Sequence, residues 1–120
     1  MNSKPDHLQR HEWSALEAYV AGLLSRHRQK VAEVWLFGSK ARGDFTSDSD
    51  LDVLIVLIEQ DSQLRDEVRL IAARVSLEYD VLINTHVINC ERWAALHRER
   101  APYWQNVQRD GVLLLQAGVA

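Results

Sequence analysis

Two aspartates, Asp50 and Asp52, stand at the head of an apolar run, LDVLIVLIE, which is typical of a buried strand. Because alternate residues of a strand point to the same face, both carboxylates are expected on one side of one sheet edge. Two carboxylates a few ångströms apart repel each other unless a cation lies between them. Mg²⁺ commonly binds one or two carboxylates together with phosphate oxygens of a substrate. The pair therefore predicts a divalent-metal site.

A possible phosphate site precedes this pair. Gly38 and Ser39 follow the short β-rich run VAEVWLF, and the next residues, SKARGD, can form one helical turn. A helix start offers unpaired N–H groups, and Lys40 and Arg42 add positive charge, so these residues are predicted to contact phosphate. In the alternative interpretation Gly38 only turns the chain, Ser39 only caps the turn, and Arg42 pairs with a loop aspartate. The Gly-Lys-Ser/Thr ending of a P-loop is absent.

The spacing of these residues resembles a known signature. Gly38-Ser39, ten intervening residues and Asp50-Leu51-Asp52 fit, without insertion, the Gly-Ser…Asp-x-Asp pattern of the DNA polymerase beta type nucleotidyltransferase superfamily. The stretch GSKARGDFTSDSDLDVLI is most similar to the minimal nucleotidyltransferase branch. The ending WQNVQRDGVLL also resembles the ends of those small proteins, so the similarity runs nearly the full length.

The resemblance implies a metal-dependent transfer of a nucleoside monophosphate from a nucleoside triphosphate, AMP from ATP being expected. Asp50 and Asp52 would bind Mg²⁺, as two ions, and Gly38 and Ser39 would bind the triphosphate. Superfamily members use a third carboxylate from a later strand as a metal ligand that also helps to deprotonate the acceptor. Asp80 is the candidate, expected at the start of the third strand, and Glu78 is the alternative.

The resemblance also implies a partner. Minimal nucleotidyltransferases are commonly encoded beside a small helical HEPN-type toxin, so the expected function is that of an antitoxin that adenylylates a hydroxyl of its toxin. Two alternatives stay open: a non-catalytic antitoxin that acts by masking its partner, and a nucleotidyltransferase that modifies small molecules.

Hydrophobic periodicity predicts the elements that would position these residues. The expected fold is α/β (α+β), a small mixed sheet of three to four strands packed with helices, as a single domain over residues 1–120. The predicted helices are 7–29, 61–77, a short one from Cys90 and one from Pro102 to Gly111; the predicted strands are 31–37, 51–59 and 79–88. The tail VLLLQ is either an edge strand or a docked segment.

The remaining residues suggest ordinary roles. Asp44 and Asp48 lie in the loop GDFTSDS, where aspartate is a usual turn residue. His86 shares the predicted strand alternation of Asp80 and Asn84 and could face the site, or it has no special role. The four tryptophans are expected in the core; they are Trp13, Trp35, Trp93 and Trp104.

Composition excludes several classes of protein. Hydrophobic residues make up 47% of the 120 residues and charged residues 26%, which is globular composition. A net charge of -3 provides no excess of basic residues to neutralise the phosphates of nucleic acid, so direct nucleic-acid binding is not expected. One cysteine, Cys90, and the lack of an apolar leader or a membrane-spanning run predict a cytoplasmic protein.

Overall fold

The computed structural model describes residues 3–44, 50–59 and 61–117. Its five helices are α1 (Arg10–His27), α2 (Ser39–Arg42), α3 (Ser62–Tyr79), α4 (Cys90–Arg98) and α5 (Pro102–Asp110). Its four strands are β1 (Val31–Phe37), β2 (Leu51–Leu57), β3 (Ile83–Asn89) and β4 (Val112–Gln116). The predicted mixed α/β architecture is confirmed.

The four strands form one sheet in the order β3-β2-β1-β4. β1 is antiparallel to β2 and to β4, whereas β3 is parallel to β2, as a crossover through α3 requires. The tail VLLLQ is therefore an edge strand. This topology brings the end of β1 and the starts of β2 and β3 to the same end of the sheet.

Alternating residues of β2 divide the core between the two faces of the sheet. Val53 and Ile55 belong to the larger cluster beneath α1 and α3, and Leu54 and Val56 to a smaller cluster beneath α4 and α5. A strand covered on both faces has to be apolar at consecutive positions, which explains the uninterrupted run after Asp52. Asp52 has the parity of Leu54, so it lies on the α4–α5 face.

The tryptophans occupy the core positions that their spacing predicts. Trp13 belongs to the cluster beneath α1 and α3, and Trp93 belongs to the cluster beneath α4 and α5. Trp35 and Trp104 are partly buried and pack against this second cluster. No helix of the described chain is long and apolar enough to cross a bilayer.

The predicted boundary between α3 and β3 was wrong. α3 continues through Tyr79 and ends at Asp80, which adopts the left-handed conformation with φ 54° and ψ 49° and donates its N–H to the Ser76 carbonyl. β3 begins only at Ile83. Apolar periodicity ended the predicted helix at Leu77, but the backbone hydrogen bond at the C-terminus stabilises two further helical residues, Glu78 and Tyr79. Asp80 is thus a helix cap and not a strand residue.

Candidate active site

The turn after β1 depends on the absence of a side chain at Gly38. Its φ of 77° and ψ of -159° lie in a region that is essentially restricted to glycine. Its carbonyl accepts hydrogen bonds from the N–H groups of Ala41 and Arg42, each at 3.1 Å, and these bonds start α2. Gly43, with φ 86°, ends this single turn. The sequence Gly-Ser-x-x-x-Gly therefore builds a compact loop at the end of β1.

The same glycine lies directly against Asp52. A Cβ atom at position 38 would stand 2.5 Å from Asp52 Oδ2, closer than non-bonded atoms approach. The register of the sheet explains this contact, since Phe37 pairs with Asp52 across β1 and β2. The structure therefore brings the predicted phosphate turn and the predicted carboxylate together. Ser39 begins α2 next to this contact, and Asp50, partly buried, immediately precedes β2.

The side chain beside Asp52 on β3 is that of Asn84. The parallel register pairs the two residues, and Asn84 Nδ2 donates a hydrogen bond to Asp52 Oδ1 at 3.0 Å. His86 Nε2 lies 3.7 Å from the same oxygen and 3.2 Å from Asn84 Nδ2. His86 thus faces the site, which was one of its two predicted positions. We call Gly38, Asp50, Asp52 and Asn84 the carboxylate edge.

Aromatic rings cover the carboxylate edge from the α4–α5 side. The Phe37 ring meets His86 edge-on with centroids 4.9 Å apart, and Tyr103 meets Phe37 in the same manner at 5.5 Å. Burial, together with the negative charge of Asp52, raises the pKa of Tyr103 to about 12. The phenol is therefore neutral at physiological pH, and it can donate a hydrogen bond to an anion at the edge.

The sequence predicted that Lys40 contacts phosphate, but its side chain does not extend from this loop into solvent. It is only 1% exposed, and its Nζ donates to Glu12 Oε2 of α1. Burial raises the pKa of Glu12, but the hydrogen bonds from Lys40 and from the Gln9 N–H and the charge of Lys40 outweigh it, so this pKa lies below 4.5. His7 Nε2 also contacts the Lys40 carbonyl. The Lys40 side chain thus links α2 to α1.

Arg42 follows the alternative that the sequence left open. Its Nε lies 3.2 Å from both carboxylate oxygens of Asp44, and both side chains are largely exposed. Asp44 is thus the loop aspartate of that alternative, and its turn role stays a prediction. Asp48, with the same prediction, lies outside the described residues.

The structure does not bring Asp80 to Asp52. Asp80 instead lines a groove together with Ser76, Ile83 and Thr85. Ile83 has the strand parity of the α1–α3 face, opposite to that of Asn84. Glu78, the alternative third carboxylate, is an exposed residue within α3. The third-carboxylate role of Asp80 stays a prediction without a geometric contact to support it.

Sequence reasoning missed Asn84 because it placed the strand start too early. The alternation in INTHV, with polar residues at 84 and 86, was the available signal. Phe37 and Tyr103 left no comparable signal, because both also fit ordinary core positions.

The donor set fits a Mg²⁺ ion shared with a substrate rather than one enclosed by protein. Asp50 and Asp52 supply hard carboxylate oxygens at one strand start, and Gly38 brings the backbone of the neighbouring loop against Asp52. Among the described residues, no three histidine, cysteine, aspartate or glutamate side chains approach closely enough to form a metal site. A cation there would need ligands from the nucleotide or from water.

Comparison with known families gives this geometry a context. The model of the nucleotidyltransferase domain family matches residues 19–101, which include the whole carboxylate edge. The chain belongs to the nucleotidyltransferase domain family. Within this family, the chain is 39% identical over 76 residues to a Methanocaldococcus jannaschii protein named "putative protein adenylyltransferase MJ0604". That match covers 63% of this chain and 72% of the relative.

Solved structures share the fold. A structure described as a "putative minimal nucleotidyltransferase" is 27% identical, with a TM-score of 0.55 over 90% of this chain and 98% of its own. A toxin–antitoxin structure with AMP-PNP is 20% identical, with a TM-score of 0.54 over 85% of this chain and 74% of its own. The chain thus shares its fold with both structures.

Proposed function

We propose that this nucleotidyltransferase transfers AMP from ATP to a hydroxyl group of a partner protein, and that the partner is a small helical HEPN-type toxin which the transfer neutralises. The observation that carries the proposal is the contact between the Gly38 turn and Asp52. It joins a loop suited to phosphate and a carboxylate suited to a divalent cation in one site. The relative named as a protein adenylyltransferase supports the acceptor class.

The reaction follows from the charges that change. The acceptor hydroxyl oxygen bonds to the α-phosphorus of ATP, the bond from that phosphorus to the bridging oxygen breaks, and pyrophosphate leaves. A bound Mg²⁺ supplies charge neutralisation at the phosphates and lowers the pKa of the attacking hydroxyl. Asp50 and Asp52 would hold that ion, and Gly38 and Ser39 would place the triphosphate opposite them. The hydroxyl proton goes to a nearby base or to water.

We infer a macromolecular acceptor from the position of Asp52 at the start of β2, at the end of the sheet where a partner can dock. Among the described residues after β3, α4 and α5 pack on the sheet and β4 is its edge strand. A partner docked over the carboxylate edge would bring its own hydroxyl to the α-phosphate. The toxin–antitoxin structure of the same fold is consistent with such a complex.

One observation favours a second candidate, an antitoxin that masks its partner without catalysis. The strand residue next to Asp52 is Asn84, whose uncharged amide cannot supply the third carboxylate of the superfamily. A weakened metal site would leave binding as the remaining activity.

Transfer of a labelled α-phosphate separates the two functions. The chain is incubated with the product of the neighbouring gene, Mg²⁺ and ATP labelled at the α-phosphate, and ATP labelled at the γ-phosphate serves as the control for phosphorylation. We expect label on the partner from the α-phosphate only. The variant Asp52→Asn should lower the rate at least about a hundredfold, the loss typical of removing an electrostatic group from an active site.

Glu59→Gln is the matched control, since it neutralises an exposed carboxylate just beyond the opposite end of β2. It should transfer at the wild-type rate. Tight binding of the partner without any label would overturn the enzymatic proposal and favour masking. Label on small-molecule acceptors in the absence of the partner would overturn the protein-acceptor class.

A further inference from the structure

A groove of about 540 Å³ lies between α3 and the start of β3, beside the face of the sheet that Asp52 does not share. Its middle is built of small or apolar side chains, which are Ala72, Ala73, Ser76, Val81 and Ile83. The Ser76 hydroxyl already donates to the Ala72 carbonyl at 2.8 Å and accepts from the Ile83 N–H at 3.1 Å. The groove therefore offers an apolar floor and few polar groups for a small ligand.

Large apolar side chains around this floor are exposed to solvent. Leu77 is 87% exposed and Leu82 is 59% exposed, and both line the groove, while Leu70 of the same helix is 51% exposed. Among the described residues, one further large hydrophobic side chain, Ile58, is exposed, and it lies elsewhere. A cluster of exposed leucines beside an apolar groove is typical of an interaction surface.

The charges of the groove make it complementary to itself. Arg69 and Asp80, both exposed, line it at opposite ends of the α3 stripe, about 16 Å apart at the helical rise of 1.5 Å per residue. A second α3 in antiparallel orientation, related by a two-fold axis between positions 74 and 75, places Arg69 opposite the partner's Asp80. The same axis places Leu77 opposite the partner's Ala72. The protruding Leu77 of each copy thus lies opposite the small side chain of Ala72 in the other.

We propose that a second copy of this chain binds this groove, with α3 packed antiparallel against α3, Leu77 of each copy on the small-residue floor of the other, and Arg69 paired with the partner's Asp80. A two-fold interface uses the same patch on both copies, so a patch must carry both charges and both shapes, as this one does. A partner of one charge would leave either Arg69 or Asp80 facing a like charge. The dimer leaves the carboxylate edge open, because Asp52 lies on the other face of the sheet.

Sedimentation equilibrium of the full chain over a roughly hundredfold range of concentration tests the proposal. We expect a concentration-dependent monomer–dimer equilibrium. Leu77→Asp should raise the dimer dissociation constant at least about tenfold, because it places a charge on the apolar floor. Ile58→Asp, the same kind of change at an exposed apolar residue outside the groove, should leave the constant unchanged.

Charge reversal identifies the orientation. Arg69→Glu alone places two acids opposite each other, and Asp80→Lys alone places two bases opposite each other, so each variant should dimerise several-fold more weakly. Mixing the two variants restores opposite charges at both contacts of a mixed dimer, which should form with near wild-type affinity. Thermal unfolding of every variant verifies that it is folded.

A wild-type chain that stays monomeric over the whole range would overturn the proposal. A dimer that Leu77→Asp does not weaken would also overturn it, since such a dimer uses another surface. Failure of the mixed charge variants to associate would contradict the antiparallel arrangement. Binding of the partner toxin that is lost with Leu77→Asp, in a chain that is itself monomeric, would assign the groove to the toxin instead.

Discussion

The carboxylate edge and the α3 groove both adjoin the start of β3, but on opposite faces of the sheet, and they are built differently. At the edge, backbone and side chains are held within contact distance, as the approach of Gly38 to Asp52 shows. In the groove, by contrast, the Leu77 side chain is 87% exposed and Asp80 is also exposed. The contacts of the edge are thus made within one chain, whereas the groove is an exposed surface for which we propose a second copy as the occupant.

The largest effect on stability is expected from removing the positive charge of Lys40, which links the α2 turn beside the carboxylate edge to α1. Lys40→Met leaves Glu12 buried without its cation, and the loss of one member of a buried ion pair typically lowers the free energy of unfolding by about 3–5 kcal/mol. Arg42→Met is the control, because its pair with Asp44 is exposed and contributes less than about 1 kcal/mol. Urea unfolding at neutral pH measures both variants.

The pH dependence of the Lys40→Met variant tests the cause. Without Lys40, the lowering effects of its hydrogen bond and its charge are lost, so we expect burial to shift the pKa of Glu12 upward. A group whose pKa is raised on folding stabilises the fold below its ordinary pKa and loses that contribution as the pH increases. The difference from wild type should therefore be smaller below pH 4.5 than at neutral pH. A difference that does not change with pH would show that packing, and not charge, accounts for the loss.

A smaller loss of stability, joined to a loss of transfer, is expected for Gly38→Ala. The glycine-restricted backbone costs about 1–3 kcal/mol with any side chain, and the new Cβ must displace the Asp52 carboxylate. Gly43→Ala is the matched control: its φ is also positive, but its nearest atom, in His7, would lie 3.6 Å away. It should be destabilised by strain alone and keep its activity. Equal transfer rates in the two variants would separate Gly38 from the active site.

The next effect tests whether Asn84 occupies the third-carboxylate position. Asn84→Asp places a second carboxylate within hydrogen-bond distance of Asp52, so the variant should lose about 1 kcal/mol of stability without metal because like charges repel. Mg²⁺ should then raise its melting temperature more than that of wild type. Asn84→Ala is the control, and it should show no gain from Mg²⁺. An Asn84→Asp variant that responds to Mg²⁺ as wild type does would remove position 84 from the metal site.

The smallest effect is expected on the groove side. Asp80→Asn keeps a residue that tolerates the left-handed conformation, so stability should change by less than about 0.5 kcal/mol. Its geometry predicts retained transfer, whereas the third-carboxylate role inferred from the sequence predicts loss. Loss of transfer with the fold intact would return Asp80 to the active site.

Local sequence signals predicted the fold well where each signal had one interpretation. The run 31–37 was predicted as a strand with its exact boundaries. The predicted start of the second helix at Asp61 also agrees with the structure, where Asp61 caps α3 by accepting a hydrogen bond from the Leu64 N–H at 2.7 Å. The tail VLLLQ could not be decided, because its position depends on pairing with the distant β1. Only tertiary contacts distinguish an edge strand from a docked segment.

The candidate site was predictable in its sequence-local part and not in its long-range part. Gly38 lies at the end of one predicted strand and Asp52 at the start of the next, and both positions can be predicted from the local sequence. The identity of the residue beside Asp52 depends on where β3 begins, and an error of four residues in that start, 79 instead of 83, put Asp80 in place of Asn84. Lys40 looked like a phosphate contact, since nothing local shows that Glu12, 28 residues earlier, holds its charge.

The decisive measurement is the binding of Mn²⁺, a paramagnetic substitute for Mg²⁺, followed by electron paramagnetic resonance in the presence of a non-hydrolysable ATP analogue. We expect the wild-type chain and Glu59→Gln to bind the ion and the nucleotide together, and Asp52→Asn to bind Mn²⁺ at least about tenfold more weakly. Wild-type affinity in the Asp52→Asn variant would contradict the assignment of the carboxylate edge as the metal and nucleotide site.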